Sequence, residues 1–152
     1  MASARRVLRV IAVVLAWIIA LCLVIQLVPY GRTHDNPPVT GEPPWNSPRT
    51  RELAVRACFN CHSYETKWPW YSSIAPMSWV VEFDVNAARE TLNFSDWKHK
   101  GDLAASSGLS VIQGSMPPYK YRMAHPEANL TQDEAVELAR GLNMTVGVPN
   151  NI

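Results

Sequence analysis

The chain has 152 residues, with 14 Lys+Arg against 13 Asp+Glu, 47% apolar and 18% charged residues. This leaves room for one membrane segment and one modest domain, and excludes wholesale disorder and two enzyme-sized domains. Arg5, Arg6 and Arg9 crowd the N-terminus, so residues after 30 carry 11 basic and 13 acidic groups, which excludes nucleic-acid binding driven by phosphate contacts.

From Val10 to Val28 runs an uncharged stretch of 19 residues whose only amide is Gln26. As a helix at about 1.5 Å per residue it spans roughly 28 Å, close to the hydrocarbon thickness of a bilayer. It lacks the polar face of a core helix in a small soluble domain. It is longer than a signal-peptide core and no A-x-A-like cleavage site follows. Leu21 precedes Cys22 where a lipoprotein site needs a small residue. An uncleaved single-pass anchor is the expectation, over 10–28. The three arginines before it place residues 1–9 in the cytoplasm and the rest outside, in a bacterium the periplasm or outer face of the cell membrane. That compartment is oxidising.

Residues 29–46 contain Pro29, Pro37, Pro38, Pro43 and Pro44 with two glycines, and read as an extended linker reaching up to roughly 55 Å. A folded domain is expected over 47–143. Ser47-Pro48 opens a helix that carries Leu53, Ala54 and Ala57 into Cys58. A second helix is predicted from Pro76 to Leu92, with Trp79, Val80, Phe83 and Ala87 on one face, and Ser95 is expected to cap a short third helix through Lys98. Thr131 and Glu134 form a capping box for a last helix lined by Val136, Leu138, Ala139 and Leu142. No stretch alternates with a period of two, so the domain is expected to be all-α, and 144–152 a loose tail.

Three cysteines, Cys22, Cys58 and Cys61, rule out a scaffold of several disulfides, but Cys58-Phe59-Asn60-Cys61-His62 is a C-x-x-C-H, the pattern of c-type haem attachment. Two thiols three residues apart on a helical turn face the same way and reach two vinyl groups on one porphyrin edge. The adjacent His62 then presents its imidazole to the iron. A thioredoxin-like use would need a βαβ setting, and a zinc site would need a further ligand beside isolated His34, His99 and His125. A plain disulfide gives His62 no role. A site outside the cytoplasm suits haem c, because covalent attachment of this kind occurs there.

The sixth iron position has several candidates: Met77, Met116, Met123, His99 and His125. Met116 stands in Gly114-Ser115-Met116-Pro117-Pro118-Tyr119, where two prolines stiffen an extended loop. His125, before Pro126, is the next candidate, and an open position the third. Trp68, Trp70, Tyr71, Trp79 and Trp97 supply either an aromatic core or an apolar wall for a haem, and Trp68-Pro69-Trp70 also suits a membrane interface.

The blocks RTRELAVRACFNCHS (49–63), WPWYSSIAP (68–76), LNFSDW (92–97), GSMPP (114–118) and HPEANLT (125–131) make the chain resemble a single-haem cytochrome c. More narrowly, it resembles the haem-binding domain family of short membrane-anchored bacterial proteins. The resemblance covers about 46–142, and implies a small cytochrome c-like helical domain with one haem c held through Cys58 and Cys61. By analogy with class I cytochromes c it implies Met116 as distal ligand opposite His62. The stretch 98–110 is more polar than the amphipathic helix expected before such a loop. The function expected is single-electron transfer on the periplasmic side, with transient redox partner proteins, no nucleic acid and no enzymatic chemistry. The alternative is a haem-based sensor or small-ligand-binding module, with peroxidase activity ranked last.

Overall fold

The structure, a computed structural model, describes residues 2–150, with the backbone alone at Ala2. Met1, of the expected cytoplasmic stretch, and residues 151–152, of the expected tail, lie outside the described residues. Seven α-helices and four 3₁₀ turns make up the described chain, with no strand among the described residues. The all-α expectation holds. By internal contacts the chain falls into two units: Met1–His34 with Pro69–Phe83, and Asp35–Trp68 with Asp84–Ile152.

In the first unit, α1 (Ala2–Ile25) is exposed from Ser3 to Val24, and its Ser3–Ile25 portion is long and apolar enough to cross a membrane. Past its end, Gly31 has φ +76°, and a Cβ there would stand 2.1 Å from the Ser78 carbonyl oxygen. Only glycine permits both that backbone and that approach. The turn after α1 is thus pressed against the opening of α4 (Met77–Thr91). Between them lies a 3₁₀ turn, Trp70–Ser73, whose Ser72 hydroxyl and carbonyl both meet the His34 ring.

The second unit is built around α7 (Gln132–Val146). Against it pack α2 (Pro48–Ala57) and α5 (Ser107–Ile112). Two glycines set the spacing. A Cβ on Gly141 would meet Thr50 Oγ1 at 2.1 Å, and one on Gly108 would meet the Ala139 carbonyl oxygen at 2.6 Å. The core comprises Leu53, Ala54 and Ala57 of α2, Leu138, Ala139 and Leu142 of α7, and Val111, joined by Phe59 and Phe94. Phe94, 1% exposed, stacks on Phe59 at 5.6 Å and on Trp97 at 6.2 Å, and meets Trp45 at 5.3 Å.

The caps follow the local chemistry. Ser47 accepts from the Thr50 amide with Pro48 at the first helical position, and both halves of the Thr131/Glu134 capping box form. Three expectations need correction. Ser95 caps nothing: its hydroxyl accepts from the Tyr64 amide, and residues Trp97–His99 make a 3₁₀ turn instead of a third α-helix. Residues 144–146, expected to start a loose tail, belong to α7, which runs on to Val146 and ends at left-handed Gly147, whose amide closes on the Asn143 carbonyl. The proline-rich stretch forms no helix, as its composition dictates, but its later part is no free spacer. Thr40 and Gly41 bond to the Ser95 carbonyl, and Trp45 lies against the aromatic core. The extended backbone leaves Trp45 free to bury its ring, which a solvated linker would have to expose.

Candidate functional site

The C-x-x-C-H residues lie where α2 gives way to a single turn, α3 (Phe59–His62). The Cys58 carbonyl accepts from the amides of Cys61 and His62 at 3.1 and 2.9 Å, so both thiols and the imidazole come from one turn of backbone. The intervening residues hold that turn in place. Phe59, 3% exposed, is anchored in the core, and its carbonyl accepts from the Ser63 hydroxyl at 2.7 Å. The Asn60 amide donates to the Tyr121 hydroxyl at 2.7 Å and its carbonyl oxygen accepts from the Lys67 amide. Phe94 N–H closes the far side on the His62 carbonyl at 2.8 Å.

His62 is oriented from its Nδ1. That nitrogen lies 3.0 Å from the Ala88 carbonyl and 2.9 Å from the Leu92 carbonyl, both near the end of α4. Carbonyl oxygens only accept, so Nδ1 carries the hydrogen and donates, and Nε2 keeps its lone pair. Burial lowers the His62 pKa, against the opposing pull of the two carbonyl bonds, so the ring is neutral at pH 7. A neutral imidazole with Nδ1–H on a backbone carbonyl is the form in which histidine binds metals.

Cys58 and Cys61 are half-buried and unpaired as a disulfide. Burial pushes the Cys58 thiol up to about 12, with Cys61 adding to the shift. Burial and then Asp84 push Cys61 up to about 11, against the pull of Arg89. These are protonated thiols, the opposite of the lowered-pKa thiolate of a disulfide oxidoreductase. Among the described residues no three His, Cys, Asp or Glu side chains are grouped to hold a metal ion by themselves. A metal at His62 would therefore bring ligands of its own, as iron in a porphyrin does.

Met116 is 40% exposed, in the loop between α5 and α6 (Tyr119–Ala124), and its amide bonds to the Ser110 carbonyl at 3.1 Å. His125 follows α6; its ring stacks on Tyr121 at 4.3 Å and its Nδ1 meets Glu127 at 3.0 Å. Tyr121 thus ties to the C-x-x-C-H turn the short helix that separates Met116 from His125. The remaining candidates stand elsewhere. Exposed His99 pairs with half-buried Asp96, His34 with Ser72, and Met77 and Met123 are exposed. Asn60, Tyr121 and the Ala88 and Leu92 carbonyls were not expected from sequence. None of them carries a signal that sequence can show: α6 also holds Tyr119, and a backbone carbonyl is common to every residue. A groove of about 460 Å³ between α2 and α7, lined by residues such as Thr50, Glu137 and Arg140, contains none of these groups.

An all-helical unit that offers two protonated thiols and a tautomer-fixed imidazole from one turn is the framework of a haem-binding protein. The family model described as Haem-binding domain matches residues 20–144, most of the chain and every candidate ligand, and the chain belongs to that family. No curated protein and no solved structure shows a significant match.

Proposed function

We propose that this is a membrane-anchored monohaem c-type cytochrome that carries single electrons on the periplasmic side. The fixed tautomer of His62 is the observation that carries the reading, since it leaves Nε2 as the iron ligand. Cys58 and Cys61 would hold the haem as thioethers, each thiol sulfur bonding a vinyl carbon and its hydrogen passing to the neighbouring carbon, with no net oxidation. Bound haem supplies a one-electron Fe(III)/Fe(II) couple. Phe59 and the hydrogen bonds of Asn60 and Ser63 keep the thiols on one side of the turn. The Ala88 and Leu92 carbonyls strengthen His62 as a donor, which favours the ferric state and lowers the potential. Arg122, beside Tyr121, has a buried Nε with no acceptor among the described residues, a donor suited to a haem propionate. Met116 is the proposed distal ligand, which would close the iron to exogenous ligands and suit it to electron transfer.

Protein made in a host with haem-attachment machinery should carry one haem that survives acid-acetone extraction. Cys58→Ser or Cys61→Ser should leave a single thioether, visible in the pyridine haemochrome, and the double variant none. Extractable haem in the wild type would overturn covalent attachment.

The exposure of Met116 favours a second reading, a haem-based sensor or ligand-binding module in which the sixth position opens. Carbon monoxide separates the two. A reduced wild type inert to the gas, made reactive by Met116→Ala, supports electron transfer. A wild type that binds it rapidly, unchanged by the substitution, supports the sensor.

A further inference from the structure

We infer that residues 70–77 rest on the membrane surface, with Trp70, Ile74 and Met77 in the lipid interface beside the exit of α1. The inference depends on α1 spanning the bilayer, as the proposed function requires.

Gln26 is the only amide in the apolar span, and counted from Val10 at about 1.5 Å per residue it stands roughly 24 Å up a hydrocarbon layer of about 30 Å. An amide at that depth needs partners from protein. Its Nε2 donates to the Cys22 carbonyl of its own helix at 3.0 Å and, from another segment, to the Ala75 carbonyl at 2.9 Å, and its Oε1 accepts from the Ala75 amide at 3.0 Å. Arg32, which follows the span, donates to the same Oε1 at 2.8 Å. Ala75 is therefore fixed at the level of the outer end of the span, and its neighbours share that depth.

Those neighbours are apolar and uncovered. Trp70 is 78% exposed, Ile74 47% and Met77 44%, all in the same unit as α1. Leu27, Val28 and Tyr30, on the segment that leaves α1, are exposed as well. An indole, an aliphatic side chain and a thioether at this depth match the headgroup boundary, where Trp and Tyr are favoured. A second contact would fix the tilt of the anchor, which a single helix leaves free.

The test uses the full chain, with haem attached, in phosphatidylcholine vesicles. In a Cys22→Ala background, Ile74→Cys, Trp17→Cys and Arg140→Cys are each labelled with an environment-sensitive fluorophore. A sample without added cysteine corrects for labelling of Cys58 and Cys61. Quenching is compared between doxyl-labelled lipid and aqueous iodide. The label at 74 should lose most of its emission to shallow doxyl lipid and little to iodide, as 17 does with deep doxyl lipid, while 140 responds to iodide. Lipid quenching at 17 with only iodide quenching at 74 overturns this inference and leaves the anchor standing. Iodide quenching at 17 overturns the anchor and, with it, this inference.

Discussion

Tyr121 links two parts of the site that are 61 residues apart in sequence, because its hydroxyl accepts from Asn60 inside the C-x-x-C-H turn. The bond is half-buried and short, so its loss should cost about 0.5–1.5 kcal/mol. Tyr121→Phe should lower the unfolding free energy obtained from urea titration by an amount in that range, and Asn60→Ala by more, because it also strips the Lys67 amide of its acceptor. The double variant should lose little more than Asn60→Ala alone, and additive losses would show that the pair does not interact. The same substitution loosens the helix that follows Met116. Tyr121→Phe is therefore expected to raise carbon monoxide reactivity while leaving both thioethers in place. The motif was legible because the proposed covalent chemistry would fix both residue type and spacing at 58, 61 and 62. The orientation of His62 was not. Its partners are backbone carbonyls of Ala88 and Leu92, which a residue with any side chain would supply.

At the scale of helices, α7 carries the second unit and its N-terminus shows how. Thr131→Ala removes one half of the capping box and should destabilise by about 1 kcal/mol, read as a lower melting temperature. Glu134, the other half, also bonds Arg56 and Arg49. The Arg56 guanidinium, the Thr131 amide and the nearby charges hold its carboxyl down to about 2, against desolvation. A pKa depressed on folding gives stability that is complete above the ordinary value of 4.5 and lost as pH falls toward about 2. The urea midpoint should therefore drop across that window, and Glu134→Gln should flatten the drop; an unchanged slope would remove the pairing from the stability of the fold. Close approach offers a second test. Gly108→Ala would press a methyl onto the Ala139 carbonyl, and backbone cannot swing away as Thr50 can from Gly141. Overpacking of about 1–3 kcal/mol should outweigh the gain of about 1 kcal/mol in helix propensity. The bounds of α2 and α4 and the capped start of α7 were readable within a residue or two, while the end of α7 runs three residues past the expected boundary. The segment 98–110 was not, because α5 has only six residues and owes its form to α7, which no local pattern reports. Ser95 misled for a related reason: a serine before a turn can cap, but here its hydroxyl is claimed by Tyr64 from another segment.

At the scale of the whole molecule, the proposed anchor would decide on which side of a membrane the chemistry sits. Length and apolarity made a helix able to cross a bilayer visible, whereas the clamp of Gln26 on Ala75 joins residues 49 apart and leaves no trace in either stretch. Similarly, Trp45 belongs to the core although composition assigns it to a linker, because prolines dictate extended backbone and not what that backbone touches. The proposed orientation rests on charge: Arg5, Arg6 and Arg9 precede the apolar helix, and only Arg32 closely follows it. If that asymmetry sets topology, it also sets whether Cys58 and Cys61 meet the attachment machinery, which works outside the cytoplasm. Replacing the three arginines by glutamine and placing three arginines among residues 33–39 should invert the anchor in part of the population. The inverted fraction should lack covalent haem and leave a C-terminal alkaline phosphatase fusion inactive. Haem content and phosphatase activity should then fall in proportion across a series of such variants. Haem that stays covalent while the phosphatase is lost would separate attachment from topology, and would place the site on the cytoplasmic side.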